Sequence, residues 1–181
     1  MAIKTFTTGE VLTAADTNTY LANSGLVLVS ATTVGSAVSS VTVSSCFSAT
    51  YDAYKIVATN VTTTGNGIVS FALSGITSGW YGNLIYADFL SGAVASFGWS
   101  NAANISHAGG TQSQGLMLSV EILNPFLSKA KFMTSTFLDN ANAGKVQVQN
   151  NQTTSATGFT ITPNAGTLTG GQITVYGYRK G

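Results

Sequence analysis

Titratable side chains are scarce in this sequence, and their spacing limits the chemistry it can support. The six acids are Glu10, Asp16, Asp52, Asp88, Glu121 and Asp139. Glycoside hydrolysis requires two carboxyl groups facing each other across a sugar. Asp88 and Glu121, both in strand-like segments, are the one pair that could serve, although an outer-face position or a lysine partner explains Asp88 more simply. His107 is the single histidine. A metal centre needs three or four ligands, and none stands at ligand spacing from it. A serine triad would need a Gly-x-Ser-x-Gly elbow, which does not occur. Calcium requires clustered carboxylates, and these are scattered. Gly65-Asn66-Gly67 and Gly170-Gly171 lack a following Gly-Lys-Ser/Thr and read as turns, not as phosphate loops. The expectation is a non-enzymatic chain without cofactor or metal, in which His107 is a loop residue.

Aromatic residues carry the other chemistry. Trp80, Tyr81, Trp99 and Asn101 could offer rings for the apolar face of a sugar and an amide for its hydroxyls. Contact between subunits is the competing use, since aromatic residues are enriched at interfaces. Core packing is the plain account of Tyr86 and Phe97. Trp80, between Gly79 and Gly82 in a loop-like stretch, fits core packing less readily.

The elements that would position these groups are strands. At 181 residues the chain can bury a sizeable core in one domain. Only 7% of residues are charged, against about 25% in an ordinary soluble domain. Polarity comes instead from Thr, Ser, Asn and Gln, which suits a subunit held at fixed stoichiometry in an assembly. The net charge of +1 provides no electrostatic footprint for nucleic acid or an anionic membrane. Lys129 and Lys131 form the nearest thing to a basic cluster and read as a solvated face. No run of about eighteen apolar residues occurs, so no membrane-spanning helix is expected. Ala2 to Phe6 has no apolar core, so no secretory signal is expected either. Cys46 stands alone and reads as a small buried hydrophobe.

Period-2 alternation recurs along most of the chain. It predicts strands near 26–31, 41–43, 54–59, 68–73, 84–90, 93–99, 116–122, 129–138, 144–149, 158–162 and 172–178. A two-residue turn at Ser91-Gly92 would join 84–90 to 93–99. Residues 101–114 read as a loop. About ten strands separated by Gly, Pro and Asn turns argue for an all-β fold, an antiparallel β-sandwich of jelly-roll type. It spans 26–181 and follows an arm, 1–25, with one short helix.

That helix carries the clearest local signal. Thr13-Ala14-Ala15-Asp16 has the spacing of a capping box. The helix is expected over about 13–22, ending at Asn23-Ser24-Gly25, where Asn and Gly tolerate a left-handed turn. At roughly ten residues it requires a docking partner. Phe6, Val11, Leu12, Tyr20 and Leu21 are its candidate anchoring side chains.

Gly-Glu-Val-Leu-Thr-Ala-Ala-Asp-Thr-Asn-Thr-Tyr-Leu (9–21) resembles the opening of structural proteins of tailed bacteriophages, where a Gly-x-x-Leu-Thr-Ala segment precedes a β domain. Gly170-Gly171-Gln172-Ile173-Thr174-Val175-Tyr176-Gly177-Tyr178-Arg179 resembles their closing strand. Tyr51-Asp52-Ala53-Tyr54-Lys55-Ile56-Val57 is similar to an aromatic-x-x-Tyr-x-Ile strand that recurs in them. Residues 68–107 depart from that pattern. The resemblance implies a virion location, homotrimer assembly and attachment to other phage structural proteins through the arm. A short tail-fibre, tail-spike or adaptor subunit and a capsid decoration protein both satisfy it. A module binding host surface glycan and, more distantly, a glycoside hydrolase stand beside them.

Overall fold

The computed structural model describes residues 7–16, 25–112 and 114–180. Thr13 and Asp16 form the reciprocal pair that the capping-box spacing implies. Asp16 N–H donates to Thr13 Oγ1 at 3.1 Å, and Thr13 N–H donates to Asp16 Oδ2 at 3.2 Å. One helical turn, α1 (Ala14–Asp16), is held this way. The remainder of the expected helix, with Tyr20 and Leu21, lies outside the described residues, as does Phe6.

Fourteen strands follow among the described residues. They are β1 (Leu26–Thr33), β2 (Val41–Val43), β3 (Ala53–Thr59), β4 (Thr62–Thr63), β5 (Gly67–Leu73), β6 (Trp80–Asp88) and β7 (Val94–Ala102). Then come β8 (Ile105–Gln112), β9 (Gly115–Leu123), β10 (Lys131–Leu138), β11 (Asn142–Asn150), β12 (Phe159–Pro163), β13 (Leu168–Thr169) and β14 (Gln172–Tyr178). Every pairing is antiparallel, in an all-β sandwich. One layer runs β1-β14-β3-β9-β10-β11-β6-β7, and the other runs β2-β12-β5-β8. β9 joins them. Its first half, Gly115–Leu118, pairs with β8, and its second half, Ser119–Leu123, pairs with β3.

Alternation decides which side of each strand is buried. In β9, Leu118, Val120 and Ile122 are buried, and in β10 Met133, Ser135 and Phe137 point the same way. Phe71 of β5 stacks on Phe159 of β12 with ring centroids 4.9 Å apart. Phe47 then bridges that sheet to Tyr54 of β3 at 4.8 Å. The Tyr54 hydroxyl donates to Ser48 C=O at 3.0 Å and accepts from Ser48 N–H at 2.9 Å, so its polar end is satisfied. Cys46 is buried as expected, and burial pushes its thiol up to about 12.

Three local expectations are corrected. Residues 105–112 are strand β8, not loop. Ser106, His107 and two glycines give weak local preference, but the site demands those glycines. A Cβ on Gly109 would overlap the Met117 carbonyl, and one on Gly110 would overlap the Leu138 carbonyl. The β6–β7 connection is wider than a Ser91-Gly92 turn. Asp88 N–H bonds to Ala93 C=O at 3.1 Å, and the Asp88 carboxylate accepts from Leu90 N–H, Ser91 N–H and Ser91 Oγ. That carboxylate is the turn's internal support.

Lys131 is the third correction. It shares the inner face with Met133 and is fully buried, so it is not a solvated charge. Its Nζ donates to the carbonyls of Lys129 at 3.0 Å and Gln152 at 2.9 Å. Burial holds the amine below its ordinary value.

Candidate functional site

Two regions gather the side chains that chemistry would need: the seam between the layers around His107, and the outer face of the larger sheet. In the seam, His107 of β8 is half-buried among Phe97, Trp99 and Phe137, with ring centroids at 4.5, 6.0 and 5.4 Å. Trp99 Nε1–H donates to Ser106 Oγ at 3.3 Å, and Ser106 Oγ lies 2.9 Å from His107 Nδ1. Indole can only donate. Ser106 Oγ therefore accepts from Trp99 and bridges the indole to the imidazole. Burial pulls the imidazole below its ordinary value, and Asp139 opposes this. His107 is a strand residue that ties the two layers together, and its expected loop position is overturned.

The carboxylates separate. Glu121 lies on the outer face of β9, and its row across the sheet continues through Thr134 and Gln147 to Asn83. Asp88 is five residues further along β6. Strand rise and spacing put the two about 20 Å apart, beyond the roughly 5–9.5 Å that glycosidase pairs require. They do not assemble as the pair considered for hydrolysis. Glu121 instead accepts from the Tyr178 hydroxyl at 2.8 Å and meets Lys55 Nζ at 3.5 Å, and both keep its pKa low. Among the described residues no three His, Cys, Asp or Glu side chains gather as a metal site. Among them, no helix is long and apolar enough to cross a membrane. A surface depression bordered by Asn60, Thr62, Gln112, Leu116 and Leu138 has no titratable side chain in its lining.

The four aromatic-region candidates divide between faces. Trp80 is the first residue of β6 and fully buried, and Trp99 is also buried at 7% exposure. Neither indole can stack on an external ligand. A bulge in which two residues of β7 oppose Tyr81 turns Trp99 inward. Asn101 sits in that bulge with φ 54°, and its side-chain oxygen accepts from Gly79 N–H at 3.0 Å. It is exposed, but it closes the base of the hairpin. Tyr81 alone borders an outer-face depression, together with Phe132, Gln147 and Gln149. Period-2 alternation along 129–138 sets Phe132 and Met133 on opposite faces, which is the local signal for Phe132. Gln147 and Gln149 carried none, because their position beside a ring depends on cross-strand register.

Of the five arm candidates, Val11 and Leu12 are described, and they are 78% and 48% exposed. Comparison with protein-family models, with curated proteins and with solved structures finds no match.

Proposed function

We propose that this chain is a non-catalytic structural subunit of a tailed-bacteriophage particle. In this reading it is a short tail-fibre, tail-spike or adaptor subunit, assembled as a homotrimer. The N-terminal arm attaches it to other particle proteins and the sandwich faces outward. The resemblance of residues 9–21 and 170–179 supplies the class.

The observation that supports an attachment role is local. The arm motif closes on itself through the Thr13–Asp16 box, yet Val11 and Leu12 beside it stay exposed. Fully buried, such side chains contribute about 1.5–3 kcal/mol each, so a partner groove would gain substantially by covering both.

Deleting residues 1–24 is expected to leave a folded sandwich that no longer joins the particle. The double substitution Val11→Asp with Leu12→Asp should reproduce the loss without shortening the chain. Normal incorporation of either variant, or unfolding of the sandwich on deletion, would overturn the attachment role. Labelling the incorporated wild-type protein in a particle reconstruction separates a tail position from a capsid decoration.

A further inference from the structure

The larger sheet has an outer face, and its register arranges that face in rows. One row reads Leu123 (β9), Phe132 (β10), Gln149 (β11) and Tyr81 (β6), each directly opposite the next. The neighbouring row reads Glu121, Thr134, Gln147 and Asn83 on the same strands. The first row carries two rings two strands apart, about 10 Å, with an amide between them. The second row is entirely polar. Phe132 is 45% exposed, and Asn83, Gln147 and Gln149 are exposed.

Two adjoining depressions follow these rows. One is bordered by Tyr81, Phe132, Gln147 and Gln149, and the other by Glu121, Leu123, Phe132, Thr134 and Gln147. Phe132 and Gln147 border both, so the depressions form one shallow track across β9, β10, β11 and β6.

We infer that this track is a binding site for a neutral oligosaccharide, with Phe132 and Tyr81 beneath the sugar rings and Gln147, Gln149 and Asn83 bonding their hydroxyls. A sugar has an apolar C–H face and a rim of hydroxyls, which matches a ring row beside an amide row. Charge decides the class of glycan. The one ionised group in the two rows, Glu121, is already engaged by Lys55 and by the Tyr178 hydroxyl, both through Oε1. Lys55, directly opposite Glu121, is paired with it. Lys145, two residues from Gln147 on β11, is a single further cation beside the rows, so among the described residues no cluster of positive charge is present to select an acidic glycan. A second copy of the chain is a poorer occupant, because it would have to desolvate three exposed amides and pair each of them. This inference rests on the outer face alone and stands apart from the particle assignment.

The test is a microarray of neutral and acidic oligosaccharides probed with the full chain and with Phe132→Ala and Gln147→Ala. Both positions are exposed, so both variants should keep the wild-type circular dichroism and unfolding midpoint. The expected result is binding to neutral glycans that weakens about tenfold or more in each variant, the scale of one lost stacking or hydrogen-bonding contact. Binding restricted to acidic glycans, undiminished binding by both variants, or no binding by the wild type would each overturn the inference. So would dissociation of an oligomer by Phe132→Ala, which would identify the track as a subunit interface.

Discussion

His107 and Lys131 show how single buried groups report on the seam and the end of the sandwich. The imidazole value is lowered by burial, so below about pH 6.5 the unfolded chain takes up a proton that the folded chain resists. The folded state keeps its full stability above that value and loses it as pH falls through the folded value. Urea unfolding between pH 7.5 and 5 should show a decline in the wild type that is smaller in His107→Gln; equal declines would mean that the ring is not the responsible group. Lys131 makes the opposite point. Its amine satisfies two carbonyls that its own burial encloses. Lys131→Met keeps the apolar stem but leaves both acceptors without that donor. A loss of about 2–4 kcal/mol is expected, read from denaturant midpoints at constant slope. A neutral or stabilising outcome would show that the ammonium is dispensable.

Among the elements, β8 and β9 decide whether two sheets become one sandwich. β9 leaves β8 at Leu118 and takes β3 from Ser119, so one strand serves both layers. β8 can approach that crossing only where side chains are missing. At Gly110 the space a Cβ would need is filled by the Leu138 carbonyl at the end of β10. Backbone, unlike a flexible side chain, cannot swing aside. Gly110→Ala should therefore cost more than the roughly 1 kcal/mol typical of a point substitution, with the loss visible as a lower midpoint. Stability equal to the wild type would show that the two strands can part without penalty. Gly177 is a second close approach, lying under the Tyr51 ring.

For the whole molecule, the open question is how the larger sheet ends. Among the described residues β7 is an edge of nine residues, Val94–Ala102, without Lys, Arg, Asp, Glu or Pro, and the exposed Phe89, Leu90 and Val94 adjoin it. Unprotected edges of this kind template pairing with another chain. Asp88 N–H bonds to Ala93 C=O, so the alternation of strand groups turns Ala95 and Phe97 towards β6, and Val94, Ser96 and Gly98 outward. If assembly uses this edge, Ser96→Pro removes an outward donor without touching the β6 ladder. Light scattering should then report three times the chain mass for the wild type and a smaller assembly for Ser96→Pro. A wild-type monomer at micromolar concentration would sink the trimer. An unchanged oligomer in Ser96→Pro would move the interface elsewhere.

Local periodicity by itself determined the all-β class, most strand positions and the capping box, because alternation and a Thr-x-x-Asp pair act within a few residues. It also separated Phe132 from Met133 across the pleat. What remained depended on residues far apart in the chain. Only the pairing of β1 with β14 and of β3 with β9 decides which strands are central and which are edges. β8 was illegible because its glycines are selected by neighbouring carbonyls, not by strand preference. Trp80 and Lys131 were misjudged for a related reason: flanking glycines and a formal charge suggest solvent, whereas the registers of β6 and β10 carry both inward. The two outer rows likewise arise from register across four strands, and a shift of one residue in any of them would send its side chains to the other face.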